Sequence, residues 1–493
     1  MRPFTPPSRT FNELCRYLGL PETHPELFIT GITSNSRYLE EGDLFVGLPG
    51  LKQHGALFAA QAKSQGAVAL LTDSAGSAIG SASLPTVEIQ DVRRRAGDVS
   101  AWIYDFPFGN IFTVGITGTN GKTTTASLLH QFWQLEHREV GFIGTTGVSI
   151  GNQDYATSFT TPEASELQQI VATMREQHVT HMVMEVSSHA LDQSRVSGAH
   201  FSLSAFSNLT QDHLDYHGSM ESYYAAKAKL FTSEYSDLAL VNIDDPYGLR
   251  LSQEAGIPII TVSRFNTAAN WHYVAAVEVT SGFEISIRGE GGVLIEGLLP
   301  LIGDHNLDNA LLAIALAYNS GVDPIAIAAY LPKLGGVPGR LEKIDVGQDF
   351  RALVDFAHTP DAVERILQTL QKSSAQRVIG VLGCGGDRDR TKRPIMGKLL
   401  LELADIAIFT SDNPRSENPG DILQEMTAGL EIVAPSIVQV DRAAAIRYAV
   451  SQARTGDSVV VLGKGHELGQ EINGVKYPFD DRIELAKAIE GLE

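Results

Sequence analysis

In the stretch VGITGTNGKTTTASLL, residues 114 to 129, Gly115, Gly118 and Gly121 precede Lys122 and three consecutive threonines. Glycine lets a backbone turn tightly and come close to a ligand. A helix opening at Lys122 turns its free N–H groups and the positive end of its dipole back onto that loop. Lys122 adds a cation, and the Thr123 hydroxyl is a hard oxygen of the kind Mg2+ takes. The combination predicts a phosphate cradle. It departs from the common GxxxxGK[ST] spacing, because Ile116 stands where the first glycine belongs. The plain alternative is a glycine-rich turn before an ordinary helix. The apolar run before the loop and the Lys-Thr-Thr after it favour ATP or GTP, without saying what is done with it.

Other residues could do chemistry beside that loop. Glu185 ends the apolar run HMVMEV, where a buried carboxylate is costly without a cation or donors. His213 in QDHLDYH and Lys227 in AAKAKLF read, on composition alone, as a structural histidine and a solvated helix lysine. Near the end of the chain, four apolar runs each enter a polar loop: RALVDFAHTPDAV, RVIGVLGCGGDRD, ADIAIFTSDNPRSENP and DSVVVLGKGHE. In open α/β sheets, ligands sit at such strand ends.

These groups need a scaffold to hold them together. The 493 residues are too many for one compact core, so several domains are expected. The first stretch has short strand-like pieces, ITGITSNSR, GDLFVGL, AVALLT and PTVEI, which predict a small α/β domain over 1–110. From Ile111 the rhythm becomes strand–helix–strand. IFTVGIT predicts a strand and KTTTASLLHQFWQLEH a helix, and further apolar strands alternate with helices, the pattern of a mostly parallel covered sheet. Around VAAVEVTSGFEISIRGEGGVLIEGLLPLIG shorter alternating strands predict an antiparallel patch. LGGVPGRLEKI, residues 334–344 with Gly335, Gly336, Gly339 and Pro338, reads as a hinge-like linker. The expected architecture is α/β with three domains: the small N-terminal one, a central P-loop ATPase-like domain over 111–338, and a Rossmann-like domain over 339–493.

Bulk properties narrow the function classes. The net charge of −20 argues against a nucleic-acid partner, which needs clustered Lys and Arg. No apolar run approaches a membrane span, and the opening MRPFTPPSRTF lacks the apolar core of a secretory signal. Two cysteines, Cys15 and Cys384, make no disulfide framework or zinc knuckle. A cytoplasmic protein is expected.

The loop TGTNGKTT resembles that of the Mur ligase family, ATP-dependent enzymes that build the peptide of bacterial cell-wall precursors. The resemblance extends in family order through MEVSSHALDQSRV (184–196), NLTQDHLDYHG (208–218), YYAAKAKLF (223–231), GDHNLDNALLA (303–313), VPGRLE (337–342), DFAHTPDA (355–362), GCGGDRDRTKRP (383–394), SDNPRSENP (411–419) and GKGHE (463–467), with SNSRYLEEGDLFVGLPG (34–50) similar to a UDP-sugar domain. It covers nearly the whole chain.

The resemblance implies that ATP phosphorylates a carboxylate and an amine then displaces the phosphate. It implies a cradle of Gly118, Thr119, Asn120, Gly121, Lys122, Thr123 and Thr124, with Asn306 and Asn309 on the adenine side and Arg340 and Asp355 meeting the nucleotide on closure. Lys122, His213 and Lys227 carry the catalytic expectation. Mg2+ is expected at Thr123, Glu185, His213 and Lys227, the lysine as an N6-carboxylysine carbamate. The acceptor UDP-N-acetylmuramoyl-L-alanyl-D-glutamate is expected at Ser34, Ser36 and 51–53, then at Thr160, Thr161, Ser187, Gln193 and Arg195. The motif Asp412, Asn413, Pro414, Arg415 implies meso-diaminopimelate as the amino acid, with Arg388, Gly463 and Glu467 beside it. L-lysine or another diamino acid is the alternative within the class. A folate-type polyglutamate synthetase is a more distant relative, and an inactive nucleotide-binding scaffold is the rival from another class. A monomer is expected.

Overall fold

The computed structural model describes residues 1–491 except 25, 51, 52, 156, 158, 280, 281, 374 and 375. Leu51 and Lys52, expected at the uridine end of the acceptor, therefore lie outside the described residues.

Three sheets organise the chain. The first has four parallel strands in order of sequence, Gly31–Thr33, Asp43–Gly47, Ala69–Thr72 and Thr86–Glu88. The predicted strand ITGITSNSR is shorter than expected, because residues 34–37 leave the sheet. There Asn35 accepts from the Arg37 N–H in a local turn, the competition that Asn side chains offer to a ladder.

The second sheet has eleven strands. Near its middle, Phe112–Thr117 is flanked in parallel by His181–Glu185 and Phe201–Phe206. Both faces of such strands are covered, so Val114, Ile116, Val183 and Ala205 are fully buried. The helix Lys122–Leu135 follows the glycine loop and buries Leu128, Leu129, Phe132 and Trp133. The helix Asp304–Asn319 packs into the same core through Leu307, Leu311 and Ile314. At one edge Trp271–Val279, Gly282–Arg288 and Leu294–Leu299 pair antiparallel, as the alternation predicts.

The third sheet has six strands. Arg351–Asp355, Ser458–Leu462, Val378–Leu382 and Ile406–Phe409 lie side by side and parallel. Their C-terminal ends therefore point one way, and the four polar loops that follow them gather at one edge. The presumed linker is partly structured: Glu342–Ile344 adds to this sheet antiparallel to Arg351–Asp355. Lys343 and Leu353 pair in register, so the segment finds backbone partners that its glycine content conceals.

No described helix is long and apolar enough to cross a membrane.

Candidate active site

A cleft of about 930 Å³ opens between the second and third sheets. The glycine loop forms one wall. Gly118 has φ 152° and Gly121 φ 86°, a region that a Cβ disfavours. Space forbids a side chain as well. A Cβ on Gly118 would sit 1.9 Å from Ser207 Oγ, and one on Gly121 2.2 Å from Asn309 Oδ1. The loop is thus pressed against its neighbours while its other side faces the cleft. The Thr119 N–H donates to the Asn208 carbonyl at 2.9 Å and the Asn120 N–H to Asn208 Oδ1 at 2.9 Å. Thr124 is buried at the first turn of the helix.

Lys122 and Lys227 meet at this loop. Lys122 Nζ donates to the carbonyls of Gly118 and Thr119 at 2.9 and 3.0 Å. Lys227 Nζ donates to the Gly118 carbonyl at 2.8 Å and lies 4.8 Å from the centre of the Tyr223 ring. Lys227 is 1% exposed and sits behind the loop, whereas Lys122, Thr123, Glu185 and His213 line the cleft. Among the described residues no carboxylate forms an ion pair with it. Burial, then the charge of Lys122, pushes its pKa well below the ordinary lysine value.

Glu185 is fully buried and well supplied with donors. Thr123 Oγ1 and Thr145 Oγ1 donate to its Oε2 at 2.9 and 3.0 Å, and the Thr145 N–H to its Oε1 at 2.9 Å. Arg340 reaches across from the linker and donates to Thr123 Oγ1 at 3.0 Å. A carboxylate and a hydroxyl in contact, both facing the cleft beside the glycine loop, are a hard-oxygen set that fits Mg2+. His213, at φ 54°, stacks edge-on to His189 with ring centres 4.7 Å apart. Burial is the main cause that lowers its pKa, against the pull of Asp212. This favours the neutral ring, the form in which imidazole ligates a metal.

Of the residues expected on the nucleotide side, Asn309, Arg340 and Asp355 line the cleft, and Asn306 lies behind Asn309 outside the lining. Asn309 Nδ2 donates to Asn306 Oδ1 at 3.2 Å, and Asn306 Nδ2 to the Ile302 carbonyl at 2.8 Å. Asp355 accepts from the N–H groups of Leu341 and Ala357, both at 2.7 Å. Burial raises its pKa, and Arg340 opposes that.

The loops of the third sheet make the far wall. Arg388, Asp412, Asn413, Arg415, Gly463 and Glu467 all line the cleft. Pro414 does not; its carbonyl packs against Gly386, where a Cβ would lie 2.0 Å away. Asn413 Nδ2 donates to Glu467 Oε2 at 2.8 Å.

The acceptor candidates divide. Thr160 and Ser187 line the cleft. Thr161 Oγ1 donates to the Glu185 carbonyl at 2.9 Å. Arg195 donates to Gln193 Oε1 at 2.6 Å and pairs with Glu163 at 3.2 Å. Ser34 lies away from the cleft, in a crevice of about 10 Å³ with Arg93, Glu163 and Ser194. Ser36 is two residues further along and half-buried.

Three charged residues of the site were not singled out from the sequence. Asp212 and Lys392 face each other across the cleft at 3.7 Å, although both lie in motif stretches. Lys464 is buried and donates to Asn413 Oδ1 at 2.9 Å and Glu467 Oε2 at 2.8 Å. Its place within GKGHE was the available signal.

Models of known families match along the chain: the Mur ligase family catalytic domain over residues 28–102, the Mur ligase middle domain over 116–317, and the Mur ligase glutamate ligase domain over 339–465. The chain is 46% identical over 486 residues to the UDP-N-acetylmuramoyl-L-alanyl-D-glutamate–2,6-diaminopimelate ligase of Streptomyces avermitilis, covering 97% of this chain and 96% of that one. A solved structure of an enzyme of the same name superposes with a TM-score of 0.70 at 33% identity, covering 98% of this chain and 99% of the other. A MurF ligase from Thermotoga maritima, solved in complex with ADP, shares the fold at a TM-score of 0.64 and 16% identity over 94% of this chain and 97% of its own.

Proposed function

The chain belongs to the Mur ligase family, and from that premise we propose that it is an ATP-dependent ligase of peptidoglycan precursor synthesis. It joins UDP-N-acetylmuramoyl-L-alanyl-D-glutamate to meso-2,6-diaminopimelate. The carboxylate oxygen of the acceptor attacks the γ-phosphorus of ATP, giving an acyl phosphate and ADP. The amine of diaminopimelate then attacks the acyl carbon; phosphate leaves and the amine loses a proton.

The observation that carries this reading is one cleft lined by Lys122 and Glu185 on one side and by Arg388 and Arg415 on the other. The free backbone N–H groups at the start of the helix Lys122–Leu135 and the Lys122 ammonium hold the phosphates, with residues 118–121 shaping the loop around them. Asn306, Asn309, Arg340 and Asp355 hold the nucleoside end. Ser34, Ser36, Thr160, Thr161, Ser187, Gln193 and Arg195 hold the acceptor along the path from the first sheet to the cleft. Asp412, Asn413 and Arg415, with Arg388, Gly463 and Glu467, hold the amino acid, and Pro414 shapes the loop. Mg2+ at Thr123 and Glu185, with His213 and a carbamylated Lys227 at a second position, would neutralise charge on the transferring phosphoryl group. A depressed lysine pKa supports the carbamate, because only the neutral amine reacts with CO2. The domain division at 1–110, 111–338 and 339–493, a monomeric state and a bacterial cytoplasmic location belong to the same reading.

Phosphate release tests it. With ATP, Mg2+ and the UDP-linked dipeptide, release should depend on added meso-diaminopimelate. Release driven equally by L-lysine would move the reading to a broader diamino-acid ligase. No release with any amino acid, despite ATP binding, would overturn it in favour of a scaffold.

A further inference from the structure

We infer that Arg393 and Glu417, which touch no substrate, clamp the two loops bearing Arg388 and Arg415 and thereby position them for the added amino acid; this rests on the function proposed above. Arg393 has no exposed side-chain surface. Its Nη1 donates to Glu417 Oε2 at 2.9 Å and Glu425 Oε2 at 2.8 Å. Its Nη2 donates to Glu417 Oε1 at 2.7 Å and to the Gly385 carbonyl at 3.2 Å. Glu417 Oε1 also accepts the Asp387 N–H at 2.6 Å. One carboxylate thus ties together the helix Lys392–Leu403, the loop 383–391 and the loop 410–418.

The rest of the contact sets the register. The Gly386 N–H donates to the Asn413 carbonyl at 2.9 Å, Arg415 Nη1 to the Gly386 carbonyl at 2.7 Å, and Ser416 Oγ to Asp387 Oδ1 at 2.7 Å. Between these bonds the two cleft arginines approach each other. A Cβ on Gly385 would meet Arg415 Nη1 at 2.9 Å and Arg388 Cγ at 3.8 Å. Both side chains lie against one glycine, Arg415 through its guanidinium and Arg388 through its Cγ. Burial and then the Arg415 charge act against protonated Arg388. The bonds from Arg393 and from the Asp387 N–H to Glu417 hold the two loops at this spacing. Arg393, Glu417 and Glu425 all lie outside the cleft lining. Their action on substrate is through the loops. A bidentate fork fixes direction as well as distance. A buried ion pair by itself is weak evidence for stability, which favours a positioning role over simple reinforcement.

The test uses the full-length protein with Glu417→Gln, which keeps the shape and removes the charge, and Arg393→Lys, which keeps the charge and removes the fork. The readouts are KM and kcat for each substrate, thermal stability, and amide exchange across 383–391 without ligand. Loss of a supporting partner of this kind is worth on the order of ten- to hundredfold. The expected result is a rise of that order in KM for meso-diaminopimelate, with KM for ATP and the UDP-linked acceptor within about twofold. Amide exchange should rise in 383–391, and beyond it only in the partner loop 410–418. An unchanged diaminopimelate KM in folded Glu417→Gln overturns the clamp. So does a uniform rise in all three KM values with exchange raised throughout, which marks general loss of structure. If Glu417→Gln does not fold, Arg393→Lys decides by the same criteria. If the wild type does not use meso-diaminopimelate, the proposed function fails. The clamp is then judged by exchange in 383–391 alone: a local rise supports it and no change overturns it.

Discussion

Lys122 and Lys227 share one acceptor: the Gly118 carbonyl oxygen lies 2.9 Å from one Nζ and 2.8 Å from the other. Two ammonium groups on one carbonyl repel each other, and burial penalises both. Burial is the first cause lowering each pKa, and Lys122 adds to the effect on Lys227. Burial and the neighbouring Lys122 charge thus both favour the neutral amine at Lys227. Under the proposed function, attack of that neutral amine on CO2 would form the N–C bond of a carbamate and release one proton, leaving an anion beside the Lys122 cation. Lys227→Ala should lower turnover by on the order of 10²–10³, the worth of one transition-state electrostatic element. A short-chain carboxylic acid should restore part of it. Turnover at the wild-type rate would contradict the carbamate.

Lys122→Ala should reduce phosphoryl transfer by a similar order of 10²–10³ while the UDP-linked acceptor still binds. Ser34 lies in a crevice with Arg93 and Ser194, away from the cleft that Lys122 lines. Calorimetric titration of the acceptor into both proteins makes the comparison. A folded variant that has lost acceptor binding as fully as phosphoryl transfer would contradict an independent anchor for the UDP end around Ser34.

Gly121→Ala tests the loop itself. The new Cβ would lie 2.2 Å from Asn309 Oδ1, at a φ of 86°. The left-handed region costs roughly 1–2 kcal/mol for a residue with a Cβ, before Asn309 is displaced. Nucleotide affinity should fall at least tenfold, since about 1.4 kcal/mol is a factor of ten. Fluorescent ADP titration measures it, and an unchanged Kd would mean that the loop adjusts freely.

Much of this site was legible because its residues cluster in short stretches whose local form follows from glycine and from strand ends. The loop at 118–124 and the four loops of the third sheet are such cases. What escaped notice depends on partners far along the chain. Arg393 reads as one cation in a basic run until Glu417 and Glu425, 24 and 32 residues away, bury it. Lys464 hides beside the glycines of GKGHE until Asn413 arrives from 51 residues away. The strand Glu342–Ile344 looks like linker because its three residues carry no pattern long enough to read. Its pairing with Arg351–Asp355 is set by backbone hydrogen bonds, which do not depend on side-chain type.

Glu417 predicts a pH signature. Its hydrogen bonds from Arg393 hold its pKa at about 2, below the ordinary 4.5. A carboxylate depressed on folding stabilises fully above its unfolded value and loses that contribution as pH falls through the folded one. The excess Tm of wild type over Glu417→Gln should therefore be full above about pH 5 and shrink toward pH 2. A difference that stays constant across this range would remove Glu417 as the titrating group.

Under the proposed function, substrate choice is expected to rest on Arg415. Its Nη1 is held by the Gly386 carbonyl at 2.7 Å and its Nε faces Glu471 at 3.4 Å, so the guanidinium is anchored on the cleft wall rather than free to fold away. meso-Diaminopimelate differs from lysine by one carboxylate at the far end. A site that hydrogen-bonds a substrate group rejects the analogue lacking it, because its own polar atoms are then left unpaired. Charged hydrogen bonds are each worth roughly 1.5–3 kcal/mol. Two lost together give on the order of 10²–10⁴ in kcat/KM, at about 1.4 kcal/mol per tenfold. Wild type should use meso-diaminopimelate and use L-lysine poorly by that margin. Arg415→Ala should lose most diaminopimelate activity and narrow the margin without gaining lysine activity, since the shorter side chain makes no new contact. Steady-state kcat/KM for both amino acids in both proteins decides it. A wild-type preference for lysine, or a ratio unmoved by the substitution, would assign the recognition to another residue.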